Sequence, residues 1–454
     1  MNHLINLSKV HFLGIGGIGM SALARYFLSR GMDISGYDKT PSPLTHQLEE
    51  EGMLIHYEDR PDLIPEAVDL VVRTPAVPDN LHEYRYCVEH NIPLLKRAEV
   101  LGLISKKHFT IAIAGTHGKT SVTALIAHLL QHAGIPVLAF IGGIAKNVKS
   151  NCIINPQAKI LVVEADEFDR SFLHLFPDML IITAIDADHL DIYGSKNNLE
   201  DSFKTFAQQL DRQGTLFLEK NLEPCFSNKF EFKTYGIHEK SDFKATHPTI
   251  QNGFQVFDLE YNNFTIEKLQ SSLPGTYNLK NITAAFAVAH SLSIDKQLIR
   301  TGIETFEGVV RRFDIRYRSE QTVYIDDYAH HPEEIAAFLS AVKTLFPKKK
   351  ITGIFQPHLY SRTRDFADEF AKSLDQLDEA YLMPVYPARE KPIKGVSSKD
   401  ILRRMKLKKK TIINREEILS VCFEKQPEIL VTLGAGDIDR LVPQITKKLE
   451  ELQW

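Results

Sequence analysis

The chain has little cysteine, no long apolar run and no marked excess of either charge. Its four cysteines, Cys87, Cys152, Cys225 and Cys422, are far apart and fit neither a zinc nor a disulfide pattern. They read as free thiols of a reducing cytoplasm. No apolar stretch nears membrane-spanning length, so no membrane insertion is expected. A formal net charge of −4 over 454 residues gives no field that would draw nucleic acid or an anionic membrane. The basic run Arg403–Lys410 reads as a solvated helix face. The mildly apolar stretch Phe12–Leu28 contains Ser21-Ala22-Leu23-Ala24, in the manner of a signal peptide. Its glycines and the helical pattern that follows fit a strand–turn–helix unit better. Composition is that of an ordinary globular protein, and the length suits about three domains.

The strongest local pattern is Gly115-Thr116-His117-Gly118-Lys119-Thr120-Ser121. A β-leaning run, Phe109–Ala114, precedes it. A helical pattern with Leu125, Ile126, Leu129 and Leu130 on one face follows and stops at Gly134. Strand, glycine turn and helix are the context of a phosphate loop. The helix start offers unpaired N–H groups and positive potential to an anion. Gly115 and Gly118 let the backbone approach, Lys119 reaches the β/γ oxygens, and the Thr120 hydroxyl suits Mg²⁺. The spacing is GxxGK[ST], shorter than the common GxxxxGK[ST]. An ordinary tight turn needs no lysine and hydroxyl in register with the helix start.

A second glycine turn lies near the N-terminus. Val10–Ile15 reads as a strand, Gly14-Ile15-Gly16-Gly17-Ile18-Gly19 as the turn, Met20–Arg30 as a helix, and Asp33–Tyr37 as the next strand, closed by Asp38. A dinucleotide fingerprint wants such an acid about 20 residues on. An NAD-dependent oxidoreductase is therefore one alternative. The pattern itself supports a diphosphate on a helix N-terminus, whichever nucleotide carries it. Further strands are read at Val68–Val72 and Ile92–Leu95, with a helix from Leu81 to His90. Thr74-Pro75-Ala76-Val77-Pro78 sits at a strand's end, where open α/β sheets bind ligands.

Acidic residues gather at two later strand ends. Ile160–Val163 leads into Glu164-Ala165-Asp166-Glu167, where an acid is placed to hold Mg²⁺. Met179–Thr183 leads into Asp186-Ala187-Asp188-His189-Leu190-Asp191. Mg²⁺ prefers oxygen, so chemistry alone does not select His189. Residues 211–270 alternate short β-type runs with polar turns. After Pro274-Gly275 a helix carries Asn278 and Asn281 on one face. From Val323 on, strands run into Asp326-Asp327-Tyr328-Ala329-His330-His331-Pro332, Gln356-Pro357-His358, Tyr386-Pro387 and Gly434-Ala435-Gly436-Asp437. That is a further open α/β sheet with polar residues at its strand ends. Two phosphate-binding turns suggest two phosphorylated ligands, one of them ATP at Lys119.

These motifs, with Gly308 and Arg311-Arg312-Phe313 between them, run in order along nearly the whole chain. In that order the chain resembles the Mur ligases, on their alanine-adding branch. The murein tripeptide ligases, which act on the same UDP-sugar, are the near alternative. Phe168-Asp169-Arg170-Ser171-Phe172-Leu173-His174-Leu175 looks like the alanine-adding type. The resemblance implies an ATP- and Mg²⁺-dependent ligase of peptidoglycan precursor synthesis, with UDP-N-acetylmuramate, L-alanine and ATP as partners. The expected assembly is a monomer or weak dimer.

The implied roles attach to matching positions. Gly115, Thr116, His117, Gly118, Lys119, Thr120 and Ser121, with Asn278, Asn281, Arg312 and Asp327, surround ATP. Thr120, Glu164 and His189 bind metal. Gly14, Gly16, Gly17 and Gly19 hold the UDP diphosphate, and Asp38 contacts uridine. Lys119, which holds the phosphates, is catalytic together with Tyr328, His330 and Arg362, which serve the reacting carboxylate and amino acid. The chain departs from the family at Ser121, Ala184, Tyr277 and Leu359. The expected architecture is α/β in three domains. These are an N-terminal Rossmann-like domain over residues 1–107, a central P-loop ATPase-like domain with a mixed sheet over 108–313, and a C-terminal Rossmann-like domain over 314–454 that closes on ATP and the amino acid.

Overall fold

The computed structural model describes residues 7–186, 190–227, 229–388, 390–420 and 426–452. Among these described residues there are three sheets. The first has five parallel strands, β1 (Lys9–Leu13), β2 (Asp33–Tyr37), β3 (Leu54–His56), β4 (Leu70–Arg73) and β5 (Leu94–Lys96), in the order β3-β2-β1-β4-β5. The topological switch falls between β2 and β4, at the carboxyl end of β1, where open sheets bind ligands. Period-two alternation gives each strand two faces. Val10 and Phe12 face one core with Leu23 and Phe27, while Leu13 joins Tyr37, Val71 and Cys87 on the other. His11 is buried on that second side and is satisfied by a closed network. Its Nδ1 meets Ser35 Oγ at 2.8 Å and its Nε2 meets Glu83 at 3.1 Å, while His56 and the Arg60 amide also donate to Glu83.

The central sheet has ten strands: β6 (Phe109–Ala114), β7 (Val137–Ala145), β8 (Ser150–Ile153), β9 (Ile160–Ala165), β10 (Met179–Ile182), β11 (Thr215–Glu219), β12 (Lys233–Gly236), β13 (Phe243–Gln251), β14 (Phe254–Tyr261) and β15 (Phe264–Ser271). Their order is β15-β14-β13-β12-β11-β10-β6-β9-β7-β8, with β7 and β8 antiparallel. The third sheet has β16 (Asp314–Arg318), β17 (Val323–Asp327), β18 (Ile351–Phe355), β19 (Glu379–Leu382), β20 (Lys410–Ile412) and β21 (Ile429–Leu433), in the order β16-β17-β21-β18-β19-β20. All its pairings are parallel except that of β16 with β17. Its alternating residues feed two cores, Val323, Ile325 and Phe355 on one side and Tyr324, Ile354 and Leu430 on the other.

The chain packs as two compact units, one of Met1–Thr246, Asp258–Leu269 and Lys280–Phe306, the other of His247–Phe257, Gln270–Leu279 and Glu307–Trp454. In the first unit the N-terminal and central sheets share one apolar core. Asn151 on β8 ties the helix Ile18–Leu28 down, bonding Ile18 O at 2.5 Å, Ser21 Oγ at 2.8 Å and Arg25 at 2.6 Å.

Only Arg403 and Arg404 of the basic run Arg403–Lys410 lie on a helix. The helix Ser398–Arg404 stops because the Asp375 carboxylate takes the amides of Lys406 and Leu407 at 2.8–3.0 Å. Lys410 then begins the edge strand β20. Cys87, Cys152 and Cys225 are free thiols, and burial pushes Cys87 up to about 11, which keeps it unreactive.

Candidate functional site

The phosphate loop forms where β6 turns into the helix Lys119–His132. Gly118 is left-handed at φ 82°, and a Cβ there would stand 2.7 Å from Asn281 Oδ1. No side chain caps this helix start, so its first amides point outward, as anion binding requires. Thr116 is buried and staples the loop to the neighbouring strand end. Its amide reaches Ala184 O at 3.0 Å, and its hydroxyl accepts from Asp186 N at 3.1 Å. His117 Nε2 lies 3.5 Å from Asp186. Thr120 is buried, and Ser121 is half-buried in the first helical turn. Lys119 Nζ donates to Gly115 O at 2.6 Å and to both oxygens of Glu167 at 2.7 and 3.0 Å.

The parallel register of β6 and β9 sets Glu164 opposite Ile113, two residues before Gly115. Glu164 therefore stands beside the loop on the last turn of its strand. The Gly142 amide donates to Glu164 Oε1 at 2.8 Å, and a Cβ on Gly142 would collide with this carboxylate. Thr120 and Glu164 offer oxygen donors only, which suits Mg²⁺. His189, the third expected metal residue, lies outside the described residues.

The N-terminal glycine turn is held by Tyr37 O, which accepts from Gly14 at 2.8 Å and Ile15 at 3.1 Å. Gly14 is left-handed at φ 85°, and a Cβ there would press on Thr74 in the following loop at 2.7 Å. The Gly16 amide donates to Asp38 Oδ2 at 2.8 Å. Asp38 thus directs one oxygen into the turn itself. Gly17 begins the helix Ile18–Leu28 without a side-chain cap. Gly19 faces Arg97, whose guanidinium occupies the space a Cβ would need. Arg97 also reaches Asp166 at 3.4 Å. Its pocket is lined by Glu164, Asp166, Ser171 and Phe172. One arginine therefore spans the N-terminal turn and the acidic strand end.

In the second unit, Asp327 ends β17. Its two oxygens accept from Phe313 N at 2.6 Å and Ala329 N at 2.8 Å. Burial pushes this carboxyl up to about 7, against the pull of Arg312 and the two amides. The guanidiniums of Arg311 and Arg312 lie 5.2 and 5.0 Å from the Tyr328 ring centroid. His330 meets that ring edge-on at 5.2 Å and hydrogen-bonds Tyr328 O at 3.0 Å. Arg362 is buried on the helix Tyr360–Asp365, 3.5 Å from His358, whose ring stacks on Tyr386 at 5.8 Å. Leu359 starts that helix at φ 70°, a strained conformation for a side-chain-bearing residue. Asn278 is buried and caps back to Pro274 O at 2.8 Å. Asn281 belongs to the first unit, against Gly118.

Sequence reasoning passed over Arg97 and Gly142, and quoted Arg311 and Glu167 without giving either a role. Arg97 follows β5 directly, so the rule that ligands sit at carboxyl ends of strands could have found it. Gly142 carries no such signal.

Family models match the chain in three consecutive pieces: the Mur ligase family catalytic domain over residues 9–109, the Mur ligase middle domain over 113–289, and the Mur ligase glutamate ligase domain over 311–436. A UDP-N-acetylmuramate–L-alanine ligase of Flavobacterium psychrophilum is 46% identical, covering 98% of this chain and 100% of that protein. One from Flavobacterium johnsoniae is 46% identical over 99% of each. A crystal structure of UDP-N-acetylmuramate-alanine ligase from Thermotoga maritima superposes with a TM-score of 0.83 at 29% identity, covering 98% of this chain and 99% of that one. An oxidoreductase built on the N-terminal turn is set aside by these matches, and the chain belongs to the Mur ligase family.

Proposed function

We propose that the chain is an ATP-dependent ligase that joins L-alanine to the lactyl carboxylate of UDP-N-acetylmuramate. The observation that carries this is Arg97, which links the N-terminal diphosphate turn to the acidic strand end beside the phosphate loop. A carboxylate tethered to a UDP diphosphate on that turn would then be delivered toward the γ-phosphate. The full-length similarity to alanine-adding relatives supports alanine as the amine.

The reaction has two steps. A lactyl carboxylate oxygen attacks the γ-phosphorus, the β–γ bridging P–O bond breaks, and ADP leaves. The neutral amine of alanine then attacks the acyl phosphate carbonyl, forms the C–N bond, loses a proton, and expels phosphate. Lys119 and the amides of the loop bind the β/γ oxygens and offset the charge that spreads over them. Thr120 and Glu164 would hold one Mg²⁺ and His189 would contact a second, and these ions would supply further neutralisation of phosphate charge. Gly14, Gly16, Gly17 and Gly19 hold the UDP diphosphate. Asp38 orders that turn and contacts the uridine. Asn278, Asn281, Arg312 and Asp327 are assigned to ATP. Tyr328, His330 and Arg362 are assigned to the amino acid and the reacting carboxylate. The domain limits proposed are 1–107, 108–313 and 314–454.

The test is phosphate release across an amino-acid panel with UDP-N-acetylmuramate fixed. Release is expected with L-alanine, and only when ATP, Mg²⁺ and the UDP-sugar are all present. Turnover with an alanyl-glutamyl-diaminopimelate tripeptide and none with alanine would move the assignment to the tripeptide ligases.

A further inference from the structure

Adjacent carboxylates on one loop each hold a cation that lies at a different glycine turn. Asp166 takes Arg97, and Glu167 takes Lys119. The Glu167 side chain is only 1% exposed, and Tyr193 fixes its backbone by donating to Glu167 O at 2.6 Å. The loop then runs through two left-handed residues, Asp169 and Arg170, at φ 53° and 55°. Such backbone is retained where the surroundings demand it. An ammonium buried without a partner is strongly destabilising, and a fixed carboxylate offsets part of that cost.

We propose that Glu167 is a positioning residue that stands in for phosphate, holding the Lys119 ammonium in place until the phosphates of a nucleotide displace it. This rests on the reading of Lys119 as the phosphate-binding lysine. One consequence follows from the geometry. Glu167 competes with phosphate for Lys119, so it weakens nucleotide binding.

The experiment is calorimetric titration of ADP into the full chain, without added metal, at pH 7. Glu167→Gln is expected to tighten ADP binding about fivefold, just over 0.9 kcal/mol. In a Lys119→Met background the same substitution is expected to leave the affinity unchanged. Glu167→Asp withdraws the carboxylate by one methylene, keeps its charge, and serves if the glutamine variant fails to fold. It is expected to give an intermediate tightening. Unchanged affinity in these variants would overturn the proposal, as would an equal effect with and without Lys119. Lys119→Met that binds ADP as well as the unaltered chain would instead sink the reading of Lys119 itself.

Discussion

The amide of Gly16 donates to the carboxylate of Asp38 at 2.8 Å, so the acid at the end of β2 is part of the glycine turn. A Cβ on Gly16 would press on the same oxygen at 2.8 Å. Asp38→Ala removes the charge-assisted hydrogen bond to Gly16, which is worth about 1.5–3 kcal/mol, or about 10- to 100-fold in binding. The KM for UDP-N-acetylmuramate is expected to rise by that factor while the KM for ATP stays within about twofold. Steady-state kinetics with each substrate varied in turn checks this.

Gly142 supports Glu164 from a strand distant in sequence. Its amide fixes one carboxylate oxygen, and its missing Cβ leaves room for the group. Gly142→Ala is therefore expected to displace Glu164 without disturbing the phosphate loop. Loss of such a supporting contact costs about 10- to 100-fold in metal affinity. The half-saturating Mg²⁺ concentration for turnover should rise by that factor, and circular dichroism should be unchanged. An unaltered Mg²⁺ requirement would remove Glu164 from the metal site.

Acid should weaken the N-terminal domain through His11 and Glu83. Burial lowers the pKa of His11, outweighing the raising effect of Glu83. For Glu83, burial pushes upward, but hydrogen bonds from His11 and His56 outweigh it and hold the carboxyl below its usual value. Both groups bind protons more readily in the unfolded chain. Their stabilisation is therefore complete above about pH 6.5. It is lost first as His11 charges below that pH, and further as Glu83 is protonated below about pH 4.5. Scanning calorimetry should show a falling Tm from pH 7 to 5, and His11→Asn should flatten the slope. A Tm that rises on acidification would contradict this network.

Two strands were legible to the residue. Asp33–Tyr37 matches because the strand–turn–helix pattern before it places it, and Phe109–Ala114 because a buried parallel strand reads as an apolar run closed by turn residues. The helix Ile18–Leu28 starts two residues before the expected Met20, since Gly17 already opens it. The antiparallel β16, Asp-Ile-Arg-Tyr-Arg, was missed because an edge strand needs no apolar run. Both glycine turns were visible, since phosphate chemistry constrains neighbouring residues. The contacts Arg97–Asp166 and Gly142–Glu164 were not, because their partners are 69 and 22 residues apart and no local pattern joins them.

The central claim is that the lactyl carboxylate becomes an acyl phosphate before the amide forms. It is tested most directly with UDP-N-acetylmuramate carrying ¹⁸O in both carboxylate oxygens. After turnover with ATP, Mg²⁺ and L-alanine, mass spectrometry should find one ¹⁸O in the released phosphate and one in the new amide. Phosphate without ¹⁸O, alongside a formed amide, would contradict the account.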